Sequence, residues 1–189
     1  MRREAAALAA VSSPFVLRMH CAQLDLHAVY IVTDLLHRMI NALTAAACAA
    51  GGDNDHGRGH NNGDGDGDGD GQVPLRAGVI DERAAAFYLG CMVLGLERIH
   101  AAGYVYRDVK LENVLLDARG YAVLCDLGFA RPIAHGDRQR VFSSVGTTPY
   151  WAPEVYRQSG YTAAVDSWAL GVCAHVLLTG AMPPFVTSP

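Results

Sequence analysis

The chain has 189 residues, 51% of them hydrophobic, and a formal net charge of -4. A chain of this length and composition is expected to bury a core of its own and to form one domain. Its 15 lysines and arginines are outnumbered by 19 aspartates and glutamates, which excludes the basic surface typical of nucleic-acid-binding proteins. We therefore expect no nucleic-acid partner.

The cysteines and the hydropathy pattern indicate a soluble, cytoplasmic protein. Five scattered cysteines without a C-x-x-C pair favour reduced thiols over disulfides or zinc ligands. No run approaches the ~18 apolar residues of a membrane span. Residues 1–11 could be read as a signal or transit peptide, but their apolar part is short, rich in alanine and preceded by Glu4, so we favour a helix.

The N-terminal part is expected to form a helix followed by two strands. The helix covers residues 2–11, which are strong helix formers, and it ends before Pro14. The first strand spans residues 15–23. A turn at residues 25–27 leads into a second, β-branched strand at residues 28–33.

The composition changes after a further predicted helix at residues 36–50. Residues 51–73 are mostly Gly, Asp, Asn and His, so they have little apolar surface to bury and are predicted to be a disordered insertion. The run Asp66-x-Asp68-x-Asp70-Gly71 resembles the start of an EF-hand loop, but Ala77 stands at position twelve, where the loop needs a bidentate glutamate. A calcium-responsive interaction protein is therefore not favoured.

A long helix is predicted after the insertion. Asp81 is its expected N-cap, and Glu82 in the first turn complements the helix dipole. The helix is expected to end at the Ala-Ala-Gly run of residues 101–103. Its predicted apolar face consists of Phe87, Cys91, Leu94, Leu96 and Ile99.

The densest cluster of polar residues follows, in the run YRDVKLENVLL at residues 106–116. It places Arg107, Asp108, the chain's only lysine (Lys110) and Asn113 directly before an apolar stretch. Polar groups at this density beside a buried strand are costly unless they carry out chemistry. The spacing Arg-Asp-x-Lys-x-x-Asn resembles the catalytic loop of protein kinases. A surface turn before a core strand is the structural alternative.

Three further motifs stand in the order that protein kinases have them. Asp126-Leu127-Gly128 follows an apolar strand and resembles the metal-binding D-F-G motif, with leucine for phenylalanine. Residues 145–154, VGTTPYWAPE, resemble the end of a kinase activation segment. Asp166 opens an apolar helix, running to about Thr179, that resembles kinase helix F. The chain is thus identified as a member of the serine/threonine protein kinases, and it resembles the AGC-type, cyclic-nucleotide-dependent group.

The resemblance implies an α+β, two-lobed kinase fold that is present only in part. The helix at residues 2–11 would be helix C, and the two strands after it would be strands 4 and 5 of the N-lobe. The rest would be a mainly helical partial C-lobe. Residues 1–189 would then form one partial kinase domain, truncated at both ends and interrupted by the insertion at residues 51–73.

The resemblance also implies a reaction, the transfer of the γ-phosphoryl group of ATP to a serine or threonine of a protein substrate with the help of Mg²⁺. Asp108 would be the catalytic base, and Lys110 would balance charge on the transferred phosphate. Thr147 would bridge these two side chains, which is typical of serine/threonine specificity. Asn113 and Asp126 would hold the Mg²⁺.

Other roles follow from position within the motifs. The residues expected at the ATP site are Glu4, Thr33, Asp34, Leu36, Leu115 and Asp126. The residues expected to be structural are Tyr106, Leu127, Gly128, Glu154 and Asp166. The residues expected to be regulatory are Arg107, Arg131, Ser143 and Ser144. Either serine could take an activating phosphate that pairs with the two arginines, or both could stay unmodified.

Some parts of a complete kinase site are not found in the sequence. No glycine-rich loop precedes Glu4, and no lysine besides Lys110 is available to pair with it. We therefore expect a kinase fragment with little activity of its own, and the alternative is a pseudokinase-like nucleotide- or protein-binding module. The substrate motif stays open because Val176 replaces an acidic residue of arginine-directed kinases, whereas Glu112 remains. The regulatory partner also stays open.

Overall fold

The computed structural model describes residues 2–24, 29–36, 38–39, 80–133 and 140–187. Within these ranges the protein is an α+β structure of helices and short strands, as the sequence predicts. The predicted turn at residues 25–27, most of the predicted helix at 36–50 and the predicted insertion at 51–73 lie outside the described residues.

The elements follow one another from a short N-terminal helix to a helical C-terminal part. The helices are α1 Arg2–Ala10, α2 Glu82–Ala101, α3 Pro153–Tyr156, α4 Ala164–Thr179 and α5 Pro184–Thr187. The strands are β1 Met19–Leu24, β2 Val29–Thr33, β3 Arg38–Met39, β4 Tyr104–Val105, β5 Val114–Leu116, β6 Ala122–Leu124 and β7 Arg131–Pro132. The 3₁₀ turns are Leu111–Asn113, Leu127–Phe129 and Thr148–Tyr150.

The strands pair in small antiparallel sheets. β1 and β2 form a hairpin, β3, β5 and β6 form a three-stranded sheet with β5 in the centre, and β4 pairs with β7. In the three-stranded sheet Val114 lies opposite Leu124, and Leu116 lies opposite Ala122. β5 and β6 thus hold the two polar runs that flank them, residues 106–113 and 125–128, at the same end of this sheet.

Two predicted elements differ from the structure. The first strand begins at Met19, not at residue 15, because the preceding residues bond to β6: Leu17 N–H donates to Leu124 O at 2.8 Å and Leu124 N–H donates to Phe15 O at 2.9 Å. β3 lies where a helix was predicted, and it pairs with Leu115 and Leu116 of β5. In both places pairing with a strand distant in sequence overrides a weak local preference.

Helix α2 begins as predicted, but its apolar face is only partly buried. Asp81 Oδ1 accepts the N–H groups of Arg83 and Ala84 at 2.9 and 3.0 Å, the arrangement of an N-cap. Phe87 and Leu94, predicted to face the core, are 46% and 44% exposed. The buried positions of the helix are Ala85, Cys91, Met92, Gly95, Leu96 and Ile99.

One large hydrophobic core joins α1, α2, α4 and the three-stranded sheet. α1 packs on the turn Leu127–Phe129, and α2 packs on both β6 and α4. Core residues from these different elements include Leu8, Met92, Ile99, Val114, Leu124, Leu127 and Leu177. A second, smaller cluster consists of Val105, Val141, Ala152, Val155, Tyr161 and Val165. The polar loop at residues 106–113 follows Val105 of the smaller cluster and contributes Tyr106, Val109 and Leu111 to the large core.

None of the helices in the described part of the chain is both long and apolar enough to cross a membrane. The four cysteines that the structure describes are free thiols, of which Cys91 and Cys173 are buried and Cys21 is exposed. Cys48 lies outside the described residues.

Candidate active site

The carboxylate of Asp108 is the centre of a buried polar cluster. It is 3% exposed and follows β4 by three residues. Its Oδ1 accepts a hydrogen bond from Thr147 Oγ1 at 2.8 Å, and its Oδ2 accepts one from Asn113 Nδ2 at 2.9 Å. Lys110 Nζ lies 2.9 Å from the same Oδ2 and donates to Thr147 Oγ1 at 2.8 Å. The cluster therefore combines a carboxylate, an ammonium and two oriented neutral groups.

The backbone of this loop is held by a second buried carboxylate, that of Asp166 at the start of α4. Asp166 Oδ2 accepts the backbone N–H of Tyr106 at 2.9 Å, and Oδ1 accepts that of Arg107 at 2.8 Å. His100 Nε2, from the end of α2, lies 2.7 Å from Oδ2. Arg107 has a φ of 73°, which is strained for a residue with a side chain. The bonds to Asp166 maintain this conformation.

Tyr106 joins the loop to the strand end that carries Asp126. Its side chain is fully buried, and its hydroxyl donates to the backbone carbonyl of Cys125. Burial raises the pKa of the Tyr106 phenol well above its ordinary value. Cys125 N–H donates in turn to Asn113 O at 2.9 Å. Burial and the neighbouring Asp126 carboxylate raise the pKa of the Cys125 thiol to about 11.

Asp126 turns the chain out of β6 and exposes its carboxylate. It adopts a left-handed conformation with φ 54°, and its Oδ1 accepts the N–H of Gly128 at 3.1 Å. A Cβ at Gly128 would lie 2.9 Å from that oxygen, so a larger residue there would displace the Asp126 carboxylate. Leu127 is fully buried in the core, which anchors the turn. Burial, followed by the charge of Asp126, raises the pKa of Glu4 on α1, so these two carboxylates lie near each other.

The side chain of Arg107 reaches into the segment after residue 140. Its Nε donates to Phe129 O at 2.7 Å, and its Nη1 donates to Ser143 Oγ at 2.7 Å. Gly146 packs on the backbone of the same arginine with φ 93°, and a Cβ there would lie 2.3 Å from Arg107 O. The loop at residues 106–113 and the segment at residues 143–147 are thus packed directly against each other.

The sequence model of the protein kinase domain matches residues 65–188, which is more than half of the chain. The chain belongs to the protein kinase family. The cluster around Asp108 lies within the matched residues, in the run that resembles the catalytic loop of this family, and Asp126-Leu127-Gly128 resembles its D-F-G motif.

Comparison with curated relatives places the chain among the AGC-type serine/threonine kinases. The chain is 44% identical over 108 residues to cGMP-dependent protein kinase, isozyme 1, of Drosophila melanogaster, a match covering 57% of this chain and 14% of the relative. It is 47% identical over 103 residues to ribosomal protein S6 kinase alpha-4 of Homo sapiens, covering 54% and 13%. It is 46% identical over 106 residues to serine/threonine-protein kinase N3 of Mus musculus, covering 56% and 12%. These are serine/threonine kinases of the AGC type that the motifs resemble, and the chain spans only a small part of each.

The structure brings only some of the residues predicted for the ATP site close to the Asp108 cluster and Asp126. Glu4 lies near Asp126, and Leu115 is in β5 opposite Val123. Asp34 and Leu36 line a cavity of about 590 Å³ that contains none of the catalytic-loop residues. Asp34 N–H donates to Arg18 O at 3.2 Å, and its Oδ1 lies 2.6 Å from His20 Nε2, so its backbone donor is already engaged within the protein. Thr33, at the end of β2, pairs with Met19.

The residues predicted to hold Mg²⁺ fit that ion by their chemistry. Asn113 Nδ2 donates to both the backbone oxygen and Oδ2 of Asp108, which turns the amide oxygen of Asn113 away from that carboxylate. Asp126 is exposed, and one of its oxygens accepts no hydrogen bond from the described residues. Carboxylate and amide oxygens are the ligands that Mg²⁺ prefers. No group of three or more His, Cys, Asp or Glu side chains suited to a metal occurs in the described part of the chain.

Some of the residues predicted to be regulatory or structural form contacts in the site, and others do not. Arg107 contacts Ser143, whereas Arg131 in β7 is exposed and bonds to neither serine among the described residues. Ser144 is exposed. Glu154 lies in the first turn of α3, and within the described ranges its carboxylate forms no ion pair.

Sequence reasoning missed three residues of this site, namely His100, Cys125 and Tyr161. His100 bonds to Asp166, the Cys125 backbone joins Tyr106 to Asn113, and the Tyr161 hydroxyl contacts both Arg107 and Ser143. A basic residue in the last turn of a helix was the one available signal for His100. The other two had none, because their contacts arise from packing between distant segments.

Proposed function

We propose that this chain is the central part of a serine/threonine protein kinase domain and that Asp108 is its catalytic base. The observation that carries the proposal is the cluster in which Thr147 donates to Asp108 at 2.8 Å and accepts from Lys110 at 2.8 Å. A buried carboxylate that is oriented by a hydroxyl and an ammonium is placed to accept the proton of a substrate hydroxyl. Lys110 would then offset charge on the transferred phosphoryl group.

ATP and Mg²⁺ are the proposed cofactors. Asn113 and Asp126 would hold the metal, which when bound offsets negative charge between the phosphates. Leu115 in β5 would contact the adenine from below, and Thr33 with residues 34–36 would border it. Glu4 would be the helix C glutamate, and the packing of α1 on the turn Leu127–Phe129 supports including α1 in the same domain. We propose that residues 1–189 form one partial domain and that residues 51–73 are an insertion in it.

The acceptor is proposed to be a serine or threonine of a protein. The bridge from Thr147 to Lys110 supports this choice over tyrosine. A phosphate on Ser143 would meet the guanidinium of Arg107, which already bonds to that serine. We further propose that the protein acts in the cytoplasm.

Little phosphoryl transfer is expected from these residues alone. The chain's only lysine, Lys110, is bonded to Thr147 and Asp108, so no lysine of the chain is left to pair with Glu4. In kinases that pair must be in place to grip the phosphates. The same observation favours the second candidate function, a pseudokinase-like module that binds a nucleotide or a protein without catalysis.

Both functions can be tested by incubating the purified 189-residue chain with Mg²⁺, ATP and a generic protein substrate and measuring phosphoryl transfer. We expect turnover far below the ~1–100 s⁻¹ usual for kinases, with the residual transfer abolished in Asp108→Asn. Nucleotide binding, measured by calorimetry, should require Mg²⁺ and weaken in Asp126→Asn. Glu97→Gln, an exposed carboxylate of α2, is the control for net charge.

The outcomes separate the candidates. Measurable transfer that is equal in Asp108→Asn and in the unaltered chain contradicts the role of Asp108 as the catalytic base. Binding that needs Mg²⁺ and Asp126 without any transfer favours the non-catalytic module. Turnover in the usual kinase range contradicts the expected weak activity.

A further inference from the structure

Residues 140–143 are docked on residues 159–161 by a set of backbone contacts. Val141 and Tyr161 exchange both of their N–H···O bonds at 2.9 Å. Arg140 Nη1 donates to the carbonyl of Ser159 at 3.3 Å and to that of Gly160 at 3.4 Å. The ring of Phe142 covers Gly160, where an added Cβ would lie 2.8 Å from the ring. These contacts together fix which residue of the first segment lies opposite which residue of the second.

The hydroxyl of Tyr161 extends this contact to the catalytic loop. It donates to the backbone carbonyl of Ser143 at 2.6 Å and accepts from Arg107 Nη1 at 3.3 Å. The same Nη1 donates to Ser143 Oγ at 2.7 Å. Tyr161 is 5% exposed, so these bonds are largely shielded from water. One hydroxyl thus fixes both the serine and the arginine that bonds to it.

We propose that Tyr161 is a positioning residue that presents Ser143, and not Ser144, to the guanidinium of Arg107 before any phosphate is attached. Because the Ser143 carbonyl is held, its side chain is directed to Arg107. The carbonyl and hydroxyl of Ser144 accept no such bond in the described part of the chain, and the residue is exposed. A phosphate on Ser143 would therefore meet a cation already in place, whereas one on Ser144 would not.

The inference rests on the proposed function, because the choice between the serines matters only if Arg107 reads a phosphate. Its physical basis is independent of catalysis. The bonds hold Ser143 against Arg107 at no cost in new ordering, so the two groups need not search for each other after modification. Removing the hydroxyl of Tyr161 should loosen this segment while its ring stays packed.

Amide hydrogen exchange on the 189-residue chain tests the proposal without nucleotide or substrate. In Tyr161→Phe we expect the Val141 amide to exchange about fivefold faster, the effect of losing one shielded hydrogen bond. Tyr156→Phe is the matched control, since the Tyr156 hydroxyl also donates to a backbone carbonyl, that of Thr148 at 2.7 Å, but outside this contact. It should leave the Val141 amide unchanged. Equal effects of the two variants overturn the proposal.

A double-mutant comparison separates positioning from simple packing. Ser143→Ala should speed exchange at Val141 about threefold when Tyr161 is present and have little effect in Tyr161→Phe, because coupled groups are not additive. Ser144→Ala should have no effect in either background. Equal effects of Ser143→Ala in the two backgrounds would show that Tyr161 does not act through Ser143. If Tyr161→Phe does not fold, the comparison of the two serine variants still decides, and an inert Ser143→Ala overturns the proposal.

The outcome of this test does not depend on whether the proposed function is correct. A chain that transfers no phosphate can still show the coupling between Tyr161 and Ser143, and an active chain can lack it. Phosphoserine placed at position 143 or 144 adds a direct measurement. We expect a higher midpoint of thermal unfolding for the first, and the difference should vanish in Tyr161→Phe.

Discussion

The carboxylate of Asp166 accepts the backbone N–H of Tyr106 at 2.9 Å although the two residues are 60 positions apart in the chain. Asp166 is 1% exposed and bonds also to Arg107 N–H and His100. A buried carboxylate is tolerated because three donors surround it. The start of α4 therefore anchors the backbone of the loop at residues 106–113 directly before Asp108.

Asp166→Asn should destabilise the chain by on the order of 2–4 kcal/mol, because the new amide directs hydrogens at groups that donate to the aspartate. Urea unfolding followed by circular dichroism measures the loss. The exposed Glu97→Gln should change the free energy of unfolding by less than about 0.5 kcal/mol. An Asp166→Asn chain as stable as this control would contradict the anchoring role.

Gly146→Ala should be far more damaging than Gly120→Ala. Both glycines have positive φ, 93° and 86°, but a Cβ at Gly146 would lie 2.3 Å from Arg107 O whereas Gly120 has open space around it. We expect Gly120→Ala to cost about 1–2 kcal/mol, the price of the left-handed conformation. Gly146→Ala adds displacement of the catalytic loop. Similar unfolding midpoints for the two variants would contradict the close contact between Gly146 and the carbonyl of Arg107.

Two glycines of α2 make a second matched pair. A Cβ at Gly95 would lie 2.8 Å from Phe15 O and 2.9 Å from Leu124 Cδ1, while at Gly90 it would meet nothing within 4 Å. Gly90→Ala should stabilise the chain by about 0.5–1 kcal/mol through helix propensity. Gly95→Ala should destabilise it, because the helix must move away from β6. Thermal unfolding of both variants checks the sign of each change, and stabilisation by Gly95→Ala would contradict the packing described here.

Stability should fall at alkaline pH because of Tyr150. Its side chain is 5% exposed, and burial raises the pKa of its phenol above the ordinary value of 10.0. A raised pKa in the folded state means that the contribution is complete below pH ~10 and is lost as the pH rises further, because the unfolded chain releases the proton first. The loss approaches about 1.4 kcal/mol per pH unit.

Tyr150→Phe removes this titrating group while keeping the ring. We expect the free energy of unfolding of the variant to fall less steeply above pH ~10 than that of the unaltered chain, with parallel curves from pH 7 to 9. Denaturant titrations at a series of pH values measure the two slopes. Identical slopes would show that Tyr150 is not held neutral by burial.

Local signals in the sequence were enough to predict the two long helices, α2 and α4. Asp81 caps α2 as predicted, and α4 begins within two residues of Asp166, because caps and apolar periodicity act over a few positions. Strand limits were less predictable. β1 begins at Met19 and Arg38–Met39 form a strand, since pairing with β6 and β5 decides where those strands lie. Phe87 and Leu94 were misplaced for a similar reason, as the burial of a helix face depends on its neighbours.

The sequence by itself determined the membership in the kinase family, because the identity and spacing of Asp108, Lys110, Asn113 and Asp126 are properties of short runs of chain. Only the tertiary structure decided two hydrogen bonds that hold the site: Asp166 accepts the backbone N–H of Tyr106, and Ser143 rather than Ser144 bonds to Arg107. Those contacts join segments 36 to 60 residues apart. Their formation depends on packing of the core, which no local pattern of residues encodes.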